Sequence, residues 1–144
     1  QEAYAPLLRY ATGINITDEE IWKAADRTLI IERAHWNREG SGRQDDYHID
    51  RFYNEPVRDG PFKGLKIPRE DFEWALDEYY RLTGMDKDGF VTEEKLRELG
   101  LEDVIPDVKK GKEKYLEWLK KVKEQGGVAK YYGITFSADY AEKS

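Results

Sequence analysis

Apolar residues at helical spacing divide the first third of the chain into two predicted helices. Thr17 and Glu20 have the spacing of a capping box, so we expect a helix to begin there. Apolar positions then recur every three, four or seven residues and predict a helix over 18–36. These positions are Trp22, Ala25, Leu29 and Trp36, widened by Ile21 and Ile30. A shorter helix over 3–10 precedes it and stops at Gly13.

Two further helices are predicted in the middle of the chain. The first follows Pro68, a residue favoured at helix starts, and stops at Gly84. Its apolar stripe consists of Phe72, Ala75, Leu76, Tyr79 and Leu82. Thr92 then caps a short helix that stops at Gly100. We expect Leu96 and Leu99 to face inward from that helix.

The last forty residues add a helix and a tail. The pattern over 107–125 is amphipathic, with Val108, Tyr115, Leu119 and Val122 on one side. Only residues 128–136 have the β-branched and aromatic content of a short strand, and the pattern leaves open whether they form one. The predicted fold class is therefore mostly α, with one long irregular loop. We divide the chain into a helical domain over 1–104 and an additional helix and tail over 105–144, packed on it.

The irregular loop extends from Glu32 to Gly64 and carries many charges without any period. Loops this long are uncommon in compact domains and are often functional. The candidate functional residues are Arg38, Glu39, Arg43, Asp45, Asp46 and Arg51. They could form a loop held by salt bridges on a helical scaffold, or a surface that lines a substrate entrance or contacts another part of an enzyme. The sequence leaves both interpretations open.

Composition excludes several classes of function. A chain of 144 residues has the size of one domain, and its net charge of −6 argues against general nucleic-acid binding. Without Cys, this chain alone can hold no disulfide, thiolate zinc site or iron–sulfur cluster. No apolar run is long enough to span a bilayer, so we expect a cytoplasmic protein. Because the first residue is Gln1, we also expect a processed chain or a piece of a longer one.

The segment 84–95 has part of the pattern of a calcium-binding EF-hand loop. Gly89 stands at the glycine position, and Asp86 and Asp88 stand at the third and fifth positions. The first and last positions of the segment do not match the EF-hand pattern, because Gly84 replaces the first Asp and Lys95 replaces the bidentate Glu. A solvated turn is the favoured interpretation. A weak calcium module would require a melting temperature that rises with calcium and falls again with EGTA.

Other charged groups have no spacing that indicates chemistry. His35 and His48 match no known pair of metal ligands, and Asp45-Asp46 or Asp77-Glu78 are ordinary in so charged a chain. The lysines over 109–123 alternate with glutamates and predict a solvated helix face. An acidic partner or a membrane surface is the alternative for that face.

A set of short strings in fixed order resembles a known family. Within the loop the strings are ER (32–33), REG (38–40), DD (45–46), RF (51–52), EP (55–56), GP (60–61) and KG (63–64). ATG (11–13) and TDEE (17–20) precede them, and LDEYY (76–80) and KLRELGL (95–101) follow. Together they resemble the C-terminal region of the tungsten-containing aldehyde:ferredoxin oxidoreductases, over about the first two thirds of the chain.

The resemblance implies a function for a larger enzyme. Such enzymes oxidise aldehydes to carboxylates with water, using tungsten held by two pterin dithiolenes, and pass electrons through a [4Fe-4S] cluster to ferredoxin. Their cluster cysteines and main pterin motifs lie upstream of the matching region, so no catalytic, cofactor or metal residue is carried over to this chain. His35-Trp36, residues 48–50 and Val91 depart from the family's usual residues, which leaves the branch open, including enzymes that reduce aromatic thioesters.

We therefore expect a C-terminal domain or fragment that contributes scaffold and an active-site wall, with the rest of the enzyme chain and ferredoxin as partners. The alternative is a stand-alone helical interaction module without catalysis. The two differ in whether a cofactor-binding region with a CxxC motif is encoded directly upstream.

Overall fold

The structure is a computed structural model that describes residues 4–142. The helices are α1 (Tyr4–Thr12), α2 (Asp18–Arg38), α3 (Arg51–Asn54), α4 (Arg69–Thr83), α5 (Glu93–Glu98) and α6 (Ile105–Glu124). The strands β1 (Val128–Tyr131) and β2 (Ile134–Ser137) follow, and 3₁₀ turns occupy Arg43–Asp46, Glu102–Val104 and Ala138–Glu142. The prediction of a mostly α fold with a short C-terminal strand element is confirmed. Ala3, the predicted first residue of the first helix, lies outside the described residues.

The predicted helix caps form as hydrogen bonds. The Glu20 amide donates to the Thr17 hydroxyl at 3.2 Å, and the Thr17 amide donates to the Glu20 carboxylate at 2.8 Å. The bond from the Thr17 amide lowers the pKa of Glu20. Thr92 caps α5 in the same way, by accepting from the Lys95 amide at 3.2 Å. Gly84 ends α4 with φ 76°, a left-handed conformation that glycine adopts without strain.

The hydrophobic core lies between α2, α4, α5, α6 and β2. Inward-facing Leu96 and Leu99 of α5 are buried, as predicted. The apolar side of α6 is buried too, and Phe136 of β2 is fully buried beside it. Residues 105–140 therefore pack on the preceding helices through a shared core. The division of the chain into two units at residue 104 stays a prediction.

The two strands form a hairpin. They pair antiparallel, with Val128 opposite Ser137 and Tyr131 opposite Ile134. The two turn residues, Tyr132 and Gly133, both have positive φ, of 47° and 78°. This is the conformation of a type I′ turn, which matches the twist of the strands.

The charged segment after α2 is more ordered than its sequence pattern indicates. α2 continues to Arg38, and the 3₁₀ turn Arg43–Asp46 and helix α3 lie within 32–64. The irregular part is then mainly residues 55–68, which we call the finger. The finger closes on itself, because the Val57 amide donates to the Leu65 carbonyl and the Gly64 amide donates to the Val57 carbonyl, both at 2.8 Å.

Two helices present apolar faces to solvent. An apolar stripe normally faces the core, yet of the predicted stripe α2 buries only Ile30, together with Ala34 and Asn37. Its stripe lies about 100° away around the helix, with Trp22, Leu29 and Trp36 exposed by 54%, 60% and 61%. α4 likewise buries Leu76 and Tyr80, whereas Tyr79 and Leu82 are exposed.

Gly111 allows α6 to cross α2 at close range. A Cβ atom at Gly111 would lie 1.8 Å from the Asn37 carbonyl oxygen and 2.9 Å from the Arg38 Cα. Both atoms belong to the backbone of α2, so no side chain can move aside. A glycine in a helix interior costs about 1 kcal/mol relative to alanine, and the close crossing explains why it is present.

We expect Gly111→Ala to lower the free energy of unfolding by about 2 to 3 kcal/mol, because the helices must separate to admit the methyl group. Urea denaturation of the purified chain measures the change. The neighbouring exposed substitution Lys110→Ala is the control and should change stability by no more than about 0.5 kcal/mol. A Gly111→Ala variant as stable as the parent would show that the helices do not cross this closely.

Candidate functional site

Asn37, at the C-terminal end of α2, fixes the start of the charged segment. Its fully buried side-chain amide donates to the carbonyls of Ser41, at 2.9 Å, and Gly89, at 3.1 Å. Its side-chain oxygen accepts from the Val91 amide at 3.0 Å. One side chain therefore joins α2, the following loop and the turn over 84–92.

Arg43 is the most buried of the candidate residues, with 1% of its surface exposed. Its guanidinium lies 5.6 Å from the ring centroid of Tyr80 and 4.7 Å from that of Tyr140. One terminal nitrogen donates to the Asp77 carboxylate. Burial by itself lowers the pKa of Arg43, but hydrogen bonds to Tyr47 and Asp77 raise it above its ordinary value. The side chain is therefore a buried cation held between aromatic rings.

Asp46 lies in the same polar interior. Arg33 of α2 donates to both of its carboxylate oxygens, at 2.7 and 2.6 Å. The Tyr80 hydroxyl also donates to it. Burial and the charge of Asp46 raise the pKa of Tyr80, so the hydroxyl stays protonated and remains a donor. A bidentate pair of this kind fixes both side chains in one geometry.

The other four candidates lie at the surface. Arg38 and Glu39 form an exposed ion pair at 3.0 Å, and Arg51 pairs with Glu55 at 3.0 Å along α3. Asp45 accepts a hydrogen bond from the neighbouring Gln44 side chain. The six residues thus form no single cluster, since Arg43 and Asp46 join the interior and the rest face solvent in separate places. Their role in a functional site stays a prediction.

The turn that resembles a calcium loop holds an ammonium group. One Asp86 oxygen accepts from the amides of Asp88 and Phe90, at 2.9 and 3.1 Å. Lys112 of α6 contacts the other Asp86 oxygen and lies 3.6 Å from the Asp88 carboxylate. The Tyr140 hydroxyl donates to Asp88 at 2.7 Å. Lys112 thus takes the place that a metal cation would have between the two carboxylates.

The histidines are placed apart from each other. The His48 ring lies between Phe52 and Phe72, with centroids 5.3 Å from each, and His35 lies on α2; both histidines are exposed. Over the described residues 4–142, no group of three or more His, Cys, Asp or Glu side chains is arranged to hold a metal ion.

Asp50 joins the charged segment to the hairpin. It accepts from the Thr135 amide at 2.8 Å and from the Thr135 hydroxyl at 2.6 Å. The hydroxyl bond is the main cause of a lowered pKa for Asp50. Nearby, the Arg69 guanidinium lies 4.9 and 5.2 Å from the ring centroids of Tyr47 and Tyr53.

A groove of about 820 Å³ opens between α3 and the finger. Its apolar lining includes Ile49, Phe52, Val57, Phe62, Leu65 and Ile67. At its edge, Arg51 and Arg58 lie 3.0 and 3.4 Å from the same Glu55 carboxylate, and Lys66 adds another positive charge. The groove therefore combines an apolar floor with a net positive rim.

The partners of the buried candidates were not evident from the sequence. Asp77 was visible only as one of two adjacent acids, and Tyr80 and Tyr140 carried no signal apart from being aromatic. Arg43 meets Asp77 across 34 residues of sequence and Tyr140 across nearly a hundred. No local spacing rule connects residues so far apart.

We expect Arg43→Gln to lower the free energy of unfolding by about 2 to 3 kcal/mol, because the shorter, neutral amide leaves the buried Tyr47 hydroxyl and the exposed Asp77 carboxylate without their charged donor. Urea denaturation checks this, with Arg38→Gln as the control. Arg38 takes part only in an exposed pair, so that variant should lose no more than about 0.5 kcal/mol. Equal losses of stability in the two variants would contradict the assignment of Arg43 to the interior and Arg38 to the surface.

Comparison with known proteins identifies the family. The family model described as "Aldehyde ferredoxin oxidoreductase, domains 2 & 3" matches residues 1–101. The chain is 34% identical over 103 residues to a tungsten-containing aldehyde ferredoxin oxidoreductase from Pyrococcus horikoshii, covering 71% of this chain and 16% of that protein. Its counterpart from Pyrococcus furiosus is 35% identical over 99 residues, covering 68% and 16%.

A third relative is named for a different activity. An aliphatic sulfonate oxidoreductase, WOR-like subunit, from Pyrococcus furiosus is 40% identical over 114 residues, covering 72% of this chain and 17% of that protein. The chain thus spans about one sixth of the length of the relatives it matches. With a family model matched over 101 of 144 residues, the chain belongs to the aldehyde ferredoxin oxidoreductase family.

Proposed function

We propose that this chain is the C-terminal part of a tungsten-dependent oxidoreductase and serves as a structural domain of that enzyme. The observation that carries the proposal is the match of residues 1–101 to domains 2 and 3 of the family, in relatives about four times as long as this chain. Residues 105–140 continue the same core beyond the matched region.

Exposed apolar side chains support a role inside a larger protein. Trp22, Trp36 and Trp74 are each more than half exposed, and they are three of the four tryptophans of the chain. Contiguous exposed apolar surface usually marks a contact with another protein surface. The rest of the enzyme chain is the partner that the family relation favours.

The cofactors of the proposed enzyme must be held elsewhere. A [4Fe-4S] cluster needs thiolate ligands, and this chain contains no Cys. The residues present therefore do not fit the cluster, and we assign none of them to it or to the tungstopterin. In the proposed enzyme, upstream segments bind both groups.

The reaction proposed for the whole enzyme is the oxidation of an aldehyde with water to a carboxylate. Two electrons and the released protons leave the substrate, and we propose ferredoxin as the electron acceptor, as the relatives' names suggest. Among residues 4–142, no helix is long and apolar enough to cross a bilayer. We place the enzyme in the cytoplasm.

The groove beside the finger is the surface of this chain best suited to an active-site wall. Its apolar floor would contact the hydrocarbon part of a substrate. Arg51 and Arg58 would favour a developing carboxylate nearby, because they share only one Glu55 carboxylate between them. Of the six candidate residues in the charged segment, Arg51 is the one that lines this groove.

Oxidation of an aliphatic sulfonate is a second candidate. The relative named for that activity is 40% identical, against 34% and 35% for two of the aldehyde enzymes. A sulfonate also combines an apolar chain with an anionic head, which suits the same groove. Assays of the purified enzyme with an aliphatic aldehyde and with an alkanesulfonate distinguish the two.

We expect the native polypeptide to be several times larger than 16.9 kDa and to copurify with tungsten and iron. An immunoblot of source-cell extract, with an antibody against this chain, measures the size, and elemental analysis of the purified protein measures the metals. A single metal-free band near 16.9 kDa would contradict the proposal. It would favour the stand-alone interaction module.

In the full enzyme, we expect Phe62→Ala to raise KM for an apolar substrate about fivefold, because the truncation removes roughly 1 kcal/mol of apolar contact. The value of kcat and the tungsten and iron content should stay the same. Leu82→Ala is the matched control, since Leu82 is similarly exposed but lies on α4 outside the groove. An unchanged KM, or a loss of cofactor, would contradict the proposal that this groove forms part of the active-site wall.

A further inference from the structure

The exposed stripe of α2 has the spacing of a coiled-coil seam. Its residues alternate by three and four positions, as the a and d positions of a heptad do. They are Trp22, Ala25, Leu29, Glu32 and Trp36. All five are exposed, so a continuous strip along α2 has no covering element within residues 4–142. We call these five residues the α2 seam.

The α2 seam is separate from the face that holds α2 in its own domain. That inner face contacts α6 through Ile30, Ala34 and Asn37, and Gly111 of α6 lies against it. Ion pairs also fix α2, because Asp26 binds Lys95 at 2.7 Å and Arg33 binds Asp46. The inner face therefore fixes the orientation of α2, and the α2 seam is available to bind a partner.

A small hollow lies at the N-terminal end of the α2 seam. It has a volume of about 230 Å³ and is lined by Tyr4 of α1 and by Asp18, Ile21, Trp22 and Ala25 of α2. Two of these residues belong to the seam. A hollow between four side chains is the site into which one apolar side chain of a facing helix inserts in knobs-into-holes packing.

Glu32 adds a charge requirement. It lies in the seam between Leu29 and Trp36, and over the described residues it has no cationic partner. Covering this carboxylate with an apolar surface alone would leave a desolvated, unpaired charge, at a considerable energetic cost. A compatible partner must therefore present Lys or Arg opposite Glu32.

A second copy of α2 does not meet this requirement. In a parallel pair, Glu32 would face the Glu32 of the other copy. In an antiparallel pair centred on Leu29, it would lie near Asp26 of the other copy. The parallel arrangement brings two carboxylates together, and in the antiparallel one the cation beside Asp26, Lys95, is already paired. Neither arrangement supplies Glu32 with a free cation, which disfavours association.

We propose that the α2 seam binds an amphipathic helix from the rest of the oxidoreductase polypeptide. That helix has apolar residues at heptad spacing, one of which fills the hollow beside Trp22, and a basic residue opposite Glu32. The inference rests on the proposed function, because the partner lies in the part of the enzyme outside this chain. Relatives about four times as long contain ample sequence for such a helix.

Photo-cross-linking in the intact native polypeptide tests the proposal. p-Benzoylphenylalanine replaces Leu29 in one sample and Leu116, an exposed residue of α6, in the control. Position 29 should cross-link to one segment of the same polypeptide outside residues 1–144, with heptad apolar spacing and a nearby Lys or Arg. Position 116 should not cross-link to that segment.

A cross-link from position 29 to α2 of a second copy, to an irregular segment, or to nothing would overturn the proposal. These outcomes differ from failure of the proposed function, in which no polypeptide longer than this chain is found. If the polypeptide is long and tungsten-bound but position 29 reacts elsewhere, only the inference about the seam fails.

A charge reversal gives an independent test. Glu32→Lys should lower the melting temperature of the intact polypeptide by several degrees, and leave the melting temperature of the isolated 144-residue chain unchanged. Glu117→Lys, on the exposed side of α6, is the matched control and should change neither. Replacing the cross-linked basic residue by Glu should restore the stability of the Glu32→Lys polypeptide. Equal effects of Glu32→Lys in the two contexts would contradict a helix bound over the seam.

Discussion

The side-chain amide of Asn37 is the interaction on which the arrangement of this domain depends. It satisfies two carbonyls and one amide from two separate segments, the loop after α2 and the turn over 84–92, while fully buried. The Asn37 carbonyl oxygen meanwhile lies against the glycine at which α6 crosses α2. The end of α2, the turn over 84–92 and the middle of α6 are therefore held at one point. A residue without both donor and acceptor groups would leave buried backbone groups unpaired, which is costly in a low-dielectric interior.

From that point a polar network extends through the interior. Arg33 is paired with Asp46 inside the domain, buried Arg43 is paired with Asp77 at the surface, and tyrosine hydroxyls donate to Asp46 and Asp88. Buried ion pairs contribute little net stability compared with apolar packing, but a half-satisfied network is strongly unfavourable. Such a network therefore admits few alternative arrangements. Its effect here is to hold α2 and α4 at defined rotations, which determines the residues that they present to solvent.

Sequence patterns predicted where the helices lie more accurately than they predicted which helix faces are buried. Capping residues and glycine stops located the helices within a few residues, since those signals act within one turn. The apolar side of α6 was buried as its spacing indicated. Most of the predicted stripe of α2 is not buried in this domain. Apolar periodicity shows that a helix face will be covered, but it does not show which element covers it. The hairpin turn was missed since Tyr132, rather than Asn or Asp, occupies the first left-handed position. Arg43 and Asp46 were recognised as candidates, but their partners are distant in sequence and no local rule could supply them.

The domain combines a polar interior with apolar faces on its surface. Such a combination suits a domain that must hold its fold before it binds a partner. A helix with two apolar faces could rotate to bury either one, and the wider face of α2 carries two tryptophans that would gain most from burial. The pairs Arg33 with Asp46 and Asp26 with Lys95 oppose that rotation, because turning α2 would break both and leave Asn37 unpaired in the core. Electrostatic and hydrogen-bond specificity on one side of the helix thereby keeps the tryptophan side exposed. On the proposed function, this makes the contact with the rest of the enzyme a preformed surface, and assembly needs no rearrangement of α2.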